Sequence, residues 1–144
     1  MKFDAGILEK VRQWLEFADE DLKLARHGLT LTGEVPYRLI AYHAQQCVEK
    51  VLKAFLVFHG IDFPYTHNIS RLMELCADQG DWVKEVQEAD ELTPFAITTR
   101  YPGEDEKVSR EEALRAIAIA AKVRDIVRKD LIKKGMELSS ATGI

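Results

Sequence analysis

Residues 36–59 read PYRLIAYHAQQCVEKVLKAFLVFH, and the fold turns on how this stretch is read. With Pro36 opening a helix in its first turn, where a missing N–H costs nothing, each later residue takes a fixed place on a cylinder at about 100° per residue. Gln45, Arg38, Glu49, Tyr42, Lys53, Gln46, Lys50 and His43 then fall on one arc of roughly 160°. Ala54, Cys47, Ile40, Phe58, Val51, Ala44, Phe55, Val48 and Leu52 fill much of the remainder and form a core face. The polar arc carries two amides, a carboxylate, two ammoniums, a guanidinium, a phenol and an imidazole. Its plain reading is a solvated face with a Glu49–Lys53 pair at i, i+4; its functional reading is a binding surface.

Working outward toward the N-terminus, Ile7, Leu8, Val11, Trp14, Leu15, Ala18, Leu22, Ala25 and Leu29 recur at three- and four-residue spacings and predict an amphipathic helix over residues 5–29. Glu9, Arg12, Glu16, Glu20 and Lys23 take its outer side, and Gly28, Thr30, Thr32 and Gly33 loosen the chain before Pro36, so the two helices pair antiparallel. On the C-terminal side the central helix is expected to end at His59–Gly60, with glycine in the left-handed cap conformation. IDFPYTHN then makes an irregular connection, and Asn68 or Ser70 caps a short helix with Ile69, Leu72, Met73, Leu75 and Cys76 on its apolar side.

Residues 82–99 predict a helix broken by Pro94. TTRYPGEDEKVS is a loop, because Pro102 biases Tyr101 away from helix and Gly103 follows with three acidic residues close by. Ser109 with Glu112 three residues later is a capping-box signature for a last helix reaching about Lys134, whose alanines allow close packing. After Gly135 the tail MELSSATGI has little to bury and is expected to be mobile. These elements predict an all-α, up-and-down bundle of four to five helices, one domain over residues 1–135 with a flexible tail at 136–144.

Hydrophobic residues at 47% and charged residues at 31% fit a soluble globular protein rather than a disordered or membrane one. No apolar run is long enough to span a membrane, and MKFDAGILEK lacks the features of a secretory signal, so the expected location is the cytoplasm. The net charge of -4 argues against a dedicated nucleic-acid binder. Cys47 and Cys76 are too far apart for a CxxC metal or redox motif and read as small core residues. His27, His43, His59 and His67 are too scattered to read as metal ligands, and neither a phosphate-cradling glycine loop, an HExxH nor a GxSxG is present. No metal and no cofactor are expected.

Four stretches occurring together carry a resemblance: FADEDLKLARHGL on the first helix, AYHAQQCVEKVLKAFL on the second, YTHNISRLMEL after the short loop, and TTRYPGED before the last helix. In this order the chain resembles the HEPN domain over nearly its whole length. The resemblance implies a helical bundle that pairs as a homodimer. It also implies either a minimal nucleotidyltransferase partner, in a toxin–antitoxin-like pair, or a toxin that cuts RNA. Nuclease-active members are similar to one another in an arginine followed four to six residues later by a histidine at the start of the last helix, where the arginine holds phosphate and the histidine moves protons. Here Arg100 holds that place, and no histidine follows it anywhere in the chain. Arg38 and His43 have the right count, but they would point about 140° apart on the second helix.

Three readings therefore stand. In the first, a nucleotide-binding or interaction module, Arg100, Lys50 and Lys53 neutralise phosphate, Tyr101 or Tyr42 stacks on a base, and Gln45 or Gln46 contacts base or sugar. In the second, a ribonuclease, His43 or His67 replaces the missing histidine. In the third, Arg100 and Glu49 form a buried ion pair that fixes the bundle or its dimer.

Overall fold

The computed structural model describes residues 4–96 and 107–138, and among these the regular structure is helical throughout. Four α-helices run in order: α1 (Ala5–Gly28), α2 (Tyr37–Phe58), α3 (Ile69–Cys76) and α4 (Arg110–Lys133), with two 3-10 stretches, Asp81–Glu85 and Gln87–Ala96, between α3 and α4. The all-α bundle expected from the periodicity is the one observed. Of the expected loop before the last helix, residues 97–106 lie outside the described residues, and with them Arg100 and Tyr101.

Each helix begins where local chemistry allows. Asp4 caps α1 by accepting from the Gly6 and Ile7 amides at 2.7 and 3.1 Å. Pro36 is the N-cap of α2 rather than its first residue, and its carbonyl accepts from Leu39 and Ile40. Asn68 accepts from the Arg71 amide, and Ser109 with Glu112 makes the reciprocal capping box. At the end of α2, Gly60 has φ +66°, which lets the Ile61 amide fold back onto the Leu56 carbonyl at 2.9 Å. Gly28 allows another close approach, since a Cβ there would lie 2.8 Å from Ile40 Cγ1 across the α1–α2 interface.

The broken helix expected over residues 82–99 is two 3-10 stretches as far as residue 96. Val83, Val86, Ala89 and Leu92 are all buried, and their strict three-residue spacing matches the three residues per turn of a 3-10 helix, in which such positions eclipse on one face. Pro94 sits inside the second stretch. Beyond α4, Met136 is buried and Leu138 packs against the core, so the start of the expected tail joins the packed body. Residues 139–144 of that tail lie outside the described residues.

The bundle is arranged around α2, which packs against α1, α4, α3 and the second 3-10 stretch. Fourteen of its 22 residues are buried, so it has no broad solvent face. At its C-terminal end, Lys134 donates to Asp130 Oδ2 (2.9 Å) and to the Gln79 carbonyl (2.7 Å), and lies 3.2 Å from His59 Nε2. An ammonium has only N–H groups to offer, so His59 Nε2 is the acceptor and the ring is held neutral. Burial first, and the adjacent Lys134 charge second, push the His59 pKa down.

Candidate functional site

Gln45, Glu49 and Lys53 stand one turn apart along α2, and all three are buried, at 0, 3 and 7% exposure. The polar arc of α2 is therefore no solvated face at its centre. Gln45 Nε2 donates to Glu49 Oε2 at 2.8 Å and Lys53 Nζ donates to Glu49 Oε1 at 2.7 Å. Gln45 Oε1 accepts from Gln46 Nε2 at 2.7 Å. The loop after α2 completes the network, with His67 Nδ1 lying 3.0 and 3.1 Å from the two Glu49 oxygens and the His67 carbonyl accepting from Gln45 Nε2 at 3.4 Å. Burial pushes the Glu49 carboxyl up, but the bonds from Lys53, His67 and Gln45 outweigh it and hold the group below the usual carboxylate range.

Lys53 is enclosed as well as paired. Its ammonium lies 5.6 Å from the Trp14 ring of α1 and 5.8 Å from the Phe63 ring of the loop, and those two rings meet edge to face at 6.5 Å. The network thereby ties the loop to both α1 and α2. It surfaces at Gln46, half-buried, and at His67, whose side chain is 46% exposed.

His43, Lys50 and Tyr42 of the polar arc gather around Asp21 of α1. His43 Nδ1 lies 2.8 Å from Asp21 Oδ1 and Lys50 Nζ donates to Asp21 Oδ2 at 2.5 Å. The Tyr42 ring stands against the edge of His43 at 5.1 Å. A third cluster crosses from α1 to α4, where Arg124 forks onto Asp19 at 2.6 and 3.3 Å and also donates to Asp125 at 2.9 Å. Burial pulls the Arg124 pKa down, but Asp19 and then Asp125 more than offset it and hold the guanidinium charged.

The structure thus sorts the residues singled out in the sequence. Gln45, Gln46, Glu49, Lys53 and His67 come together; Tyr42, His43 and Lys50 form a separate group; Arg100 and Tyr101 lie outside the described residues, so the Arg100–Glu49 pair has no geometry here. Both candidate phosphate lysines already answer a carboxylate inside the bundle. Cys47 and Cys76 are buried core residues, with burial pushing the Cys47 thiol up and the Cys76 thiol up to about 12. No group of three His, Cys, Asp or Glu side chains suited to a metal ion occurs among the described residues. Sequence reasoning missed Asp21 and Arg124, yet both had a signal. Asp21 falls three residues after Ala18 and four before Ala25, and Arg124 four after Ala120 and three before Val127, so each is a charge on an apolar face.

A family model described as the HEPN domain matches residues 11–130. A protein of Methanocaldococcus jannaschii, MJ1304, which its name marks as a candidate toxin, is 27% identical over 150 aligned residues that cover 91% of this chain and 94% of that protein. The crystal structure of TT1696 from Thermus thermophilus superposes with a TM-score of 0.67 at 29% identity, covering 84% of this chain and 98% of that one.

Because Glu49 answers a buried ammonium, Glu49→Gln leaves Lys53 charged without a counter-ion and should cost about 3 to 5 kcal/mol of stability. The double variant Glu49→Leu/Lys53→Met removes both charges and should recover more than half of that loss. Denaturant unfolding of the two variants beside wild type checks it. Equal losses in single and double variants would mean that the network is not held by charge pairing.

Proposed function

Because the chain belongs to the HEPN domain family, we propose that it is the helical member of a toxin–antitoxin-like pair, a module that binds a nucleotide through its phosphate and works with a minimal nucleotidyltransferase protein. The observation that supports this most is the Glu49 network. A buried ion pair of this kind is seldom more stabilising than well-packed apolar side chains, so stability alone does not account for it. What it provides is orientation: it fixes Gln46 and His67 at the surface, next to one another along α2 and its loop. Lys50 and Lys53 are each neutralised by a carboxylate, so the phosphate charge falls to Arg100. The name of the Methanocaldococcus jannaschii relative accords with a toxin–antitoxin role.

The active unit in this reading is a homodimer. Phe17 and Leu24, seven residues apart and therefore on nearly one line of α1, are half-exposed, as is Leu31 in the turn beyond. A second copy laid over that line would remove apolar surface from water.

A second reading, RNA cleavage, rests on one observation. The Glu49 carboxylate faces His67 Nδ1 at 3.0 Å, which fixes that nitrogen as the proton-bearing one and turns Nε2 outward, the posture of a general acid–base group. His43 has the same relation to Asp21. Against it stand the missing histidine after Arg100 and the acidic run at residues 104–106, which repels phosphates.

Three measurements decide among these. Titration calorimetry with ATP, GTP and AMP should show binding by wild type and a ten- to hundredfold weakening, roughly, in Arg100→Ala, the worth of a charge-assisted fork, with Arg100→Lys between the two. No heat in wild type, together with a strongly lowered thermal midpoint in Arg100→Ala, would make Arg100 a structural ion-pair partner. Labelled total RNA should survive incubation with the protein alone; cleavage abolished by His67→Ala or His43→Ala would establish the nuclease instead. Light scattering at micromolar concentration should give a dimer, and a mass of 16.4 kDa would exclude it.

A further inference from the structure

The loop between α2 and α3 holds an aromatic side chain in an unusual position. Tyr65 is 91% exposed, although the segment on which it stands is fastened on both sides. Before it, Phe63 packs against Trp14 and Lys53. After it, Thr66 Oγ1 accepts from the Asn68 amide at 3.0 Å, His67 is held by Glu49 and Gln45, and the Ile69 amide donates to Thr93 Oγ1 at 3.2 Å. Pro64 stiffens the backbone immediately before the ring. The phenol ring meets the His67 ring edge to face, with centroids 5.5 Å apart and planes at 71°. At 91% exposure the Tyr65 ring keeps at least one flat face open to solvent despite this contact.

We infer that Tyr65 is the stacking platform for the base of a bound nucleotide, with His67 Nε2 and the Gln46 amide facing the base edge or sugar. This rests on the nucleotide-binding reading above and adds the residue that recognises the base. Ordering a large aromatic in water brings no gain to the free protein, but a pre-placed ring loses little entropy when a flat ligand lies on it. A docking surface for another protein would surround such a ring with further apolar side chains. Here no other large apolar side chain of residues 60–68 is exposed, and Asp62, Thr66 and Asn68 lie around it in sequence. A single planar ligand with polar edges fits those surroundings better than an apolar protein face.

Titration of the full chain with AMP and with ribose 5-phosphate, which share the phosphate and sugar but not the base, isolates the stacking contribution. AMP should bind roughly five- to a hundredfold more tightly, the usual range for one base on one aromatic ring. Tyr65→Ala should bring AMP down to the affinity of ribose 5-phosphate without changing the latter, and Tyr65→Phe should keep the preference. Equal affinities in wild type, or an AMP affinity unchanged in Tyr65→Ala but lost in Arg100→Ala, would overturn the platform while leaving the phosphate site standing. Silence of wild type toward both ligands would overturn the platform and the binding site together. Tyr65→Ala binding AMP as wild type does while shifting the mass in light scattering would give the loop to protein contact, and also overturns the proposal.

Discussion

The constraint on which the rest of the molecule depends is the burial of the Glu49 carboxylate in the middle of the central helix. An ionised carboxylate taken out of water needs several donors in good geometry, or it protonates. The helix supplies close donors locally, since Gln45 and Lys53 lie one turn before and one turn after and Gln46 adds a longer bond at 3.4 Å. The remaining close donor is His67, eighteen residues away in sequence, and bringing it there fixes the path of the loop. Lys53 in turn needs shelter for its own charge and finds it between Trp14 and Phe63. One buried charge thus specifies how α1, α2 and the loop to α3 meet.

The same logic recurs twice, once across the most extensive helix pair and once across a sparse one. Asp21 on α1 receives Lys50 and His43 from α2, which sets the register of the largest helix–helix interface. Asp19, two residues earlier, points toward α4 and receives Arg124. The apolar contact between α1 and α4 is slight, so this forked pair carries much of their mutual orientation. Buried or half-buried ion pairs contribute less to net stability than to choosing one arrangement among several of similar apolar burial, the attested role of such groups in helical assemblies.

The sequence made the helices legible and left their polar interior hidden, for a physical reason. Helix starts and stops are local: Asp4, Asn68, Ser109 with Glu112, and Gly60 act through atoms within five residues. The membership of the α2 polar arc is local too, being fixed by 100° steps. Whether that arc meets water is not local, because it depends on Trp14, Phe63 and His67 arriving from other elements. Charges on apolar faces were the available warning, and Asp21 and Arg124 showed it. The 3-10 stretches were missed as such because a window tuned to 3.6 residues per turn also accepts spacings of three. Only the unbroken run 83, 86, 89, 92 separates the two.

The pairing also bears on how an anion can be held at this site. Glu49 cancels Lys53 and Asp21 cancels Lys50, so neither lysine of the α2 arc offers an unbalanced charge. Lysines already balanced by carboxylates are poorly placed to balance a phosphate as well. On the nucleotide-binding proposal, the added cation has to come from another part of the chain. A lysine meets a phosphate as a point charge; an arginine offers two parallel donors in a fixed fork. On the nucleotide-binding proposal, recognition would divide by chemistry, with the fixed Gln46 and His67 giving geometry and Arg100 giving charge. The arc's two lysines serve the fold, which is why the proposal assigns the phosphate to a residue outside the arc.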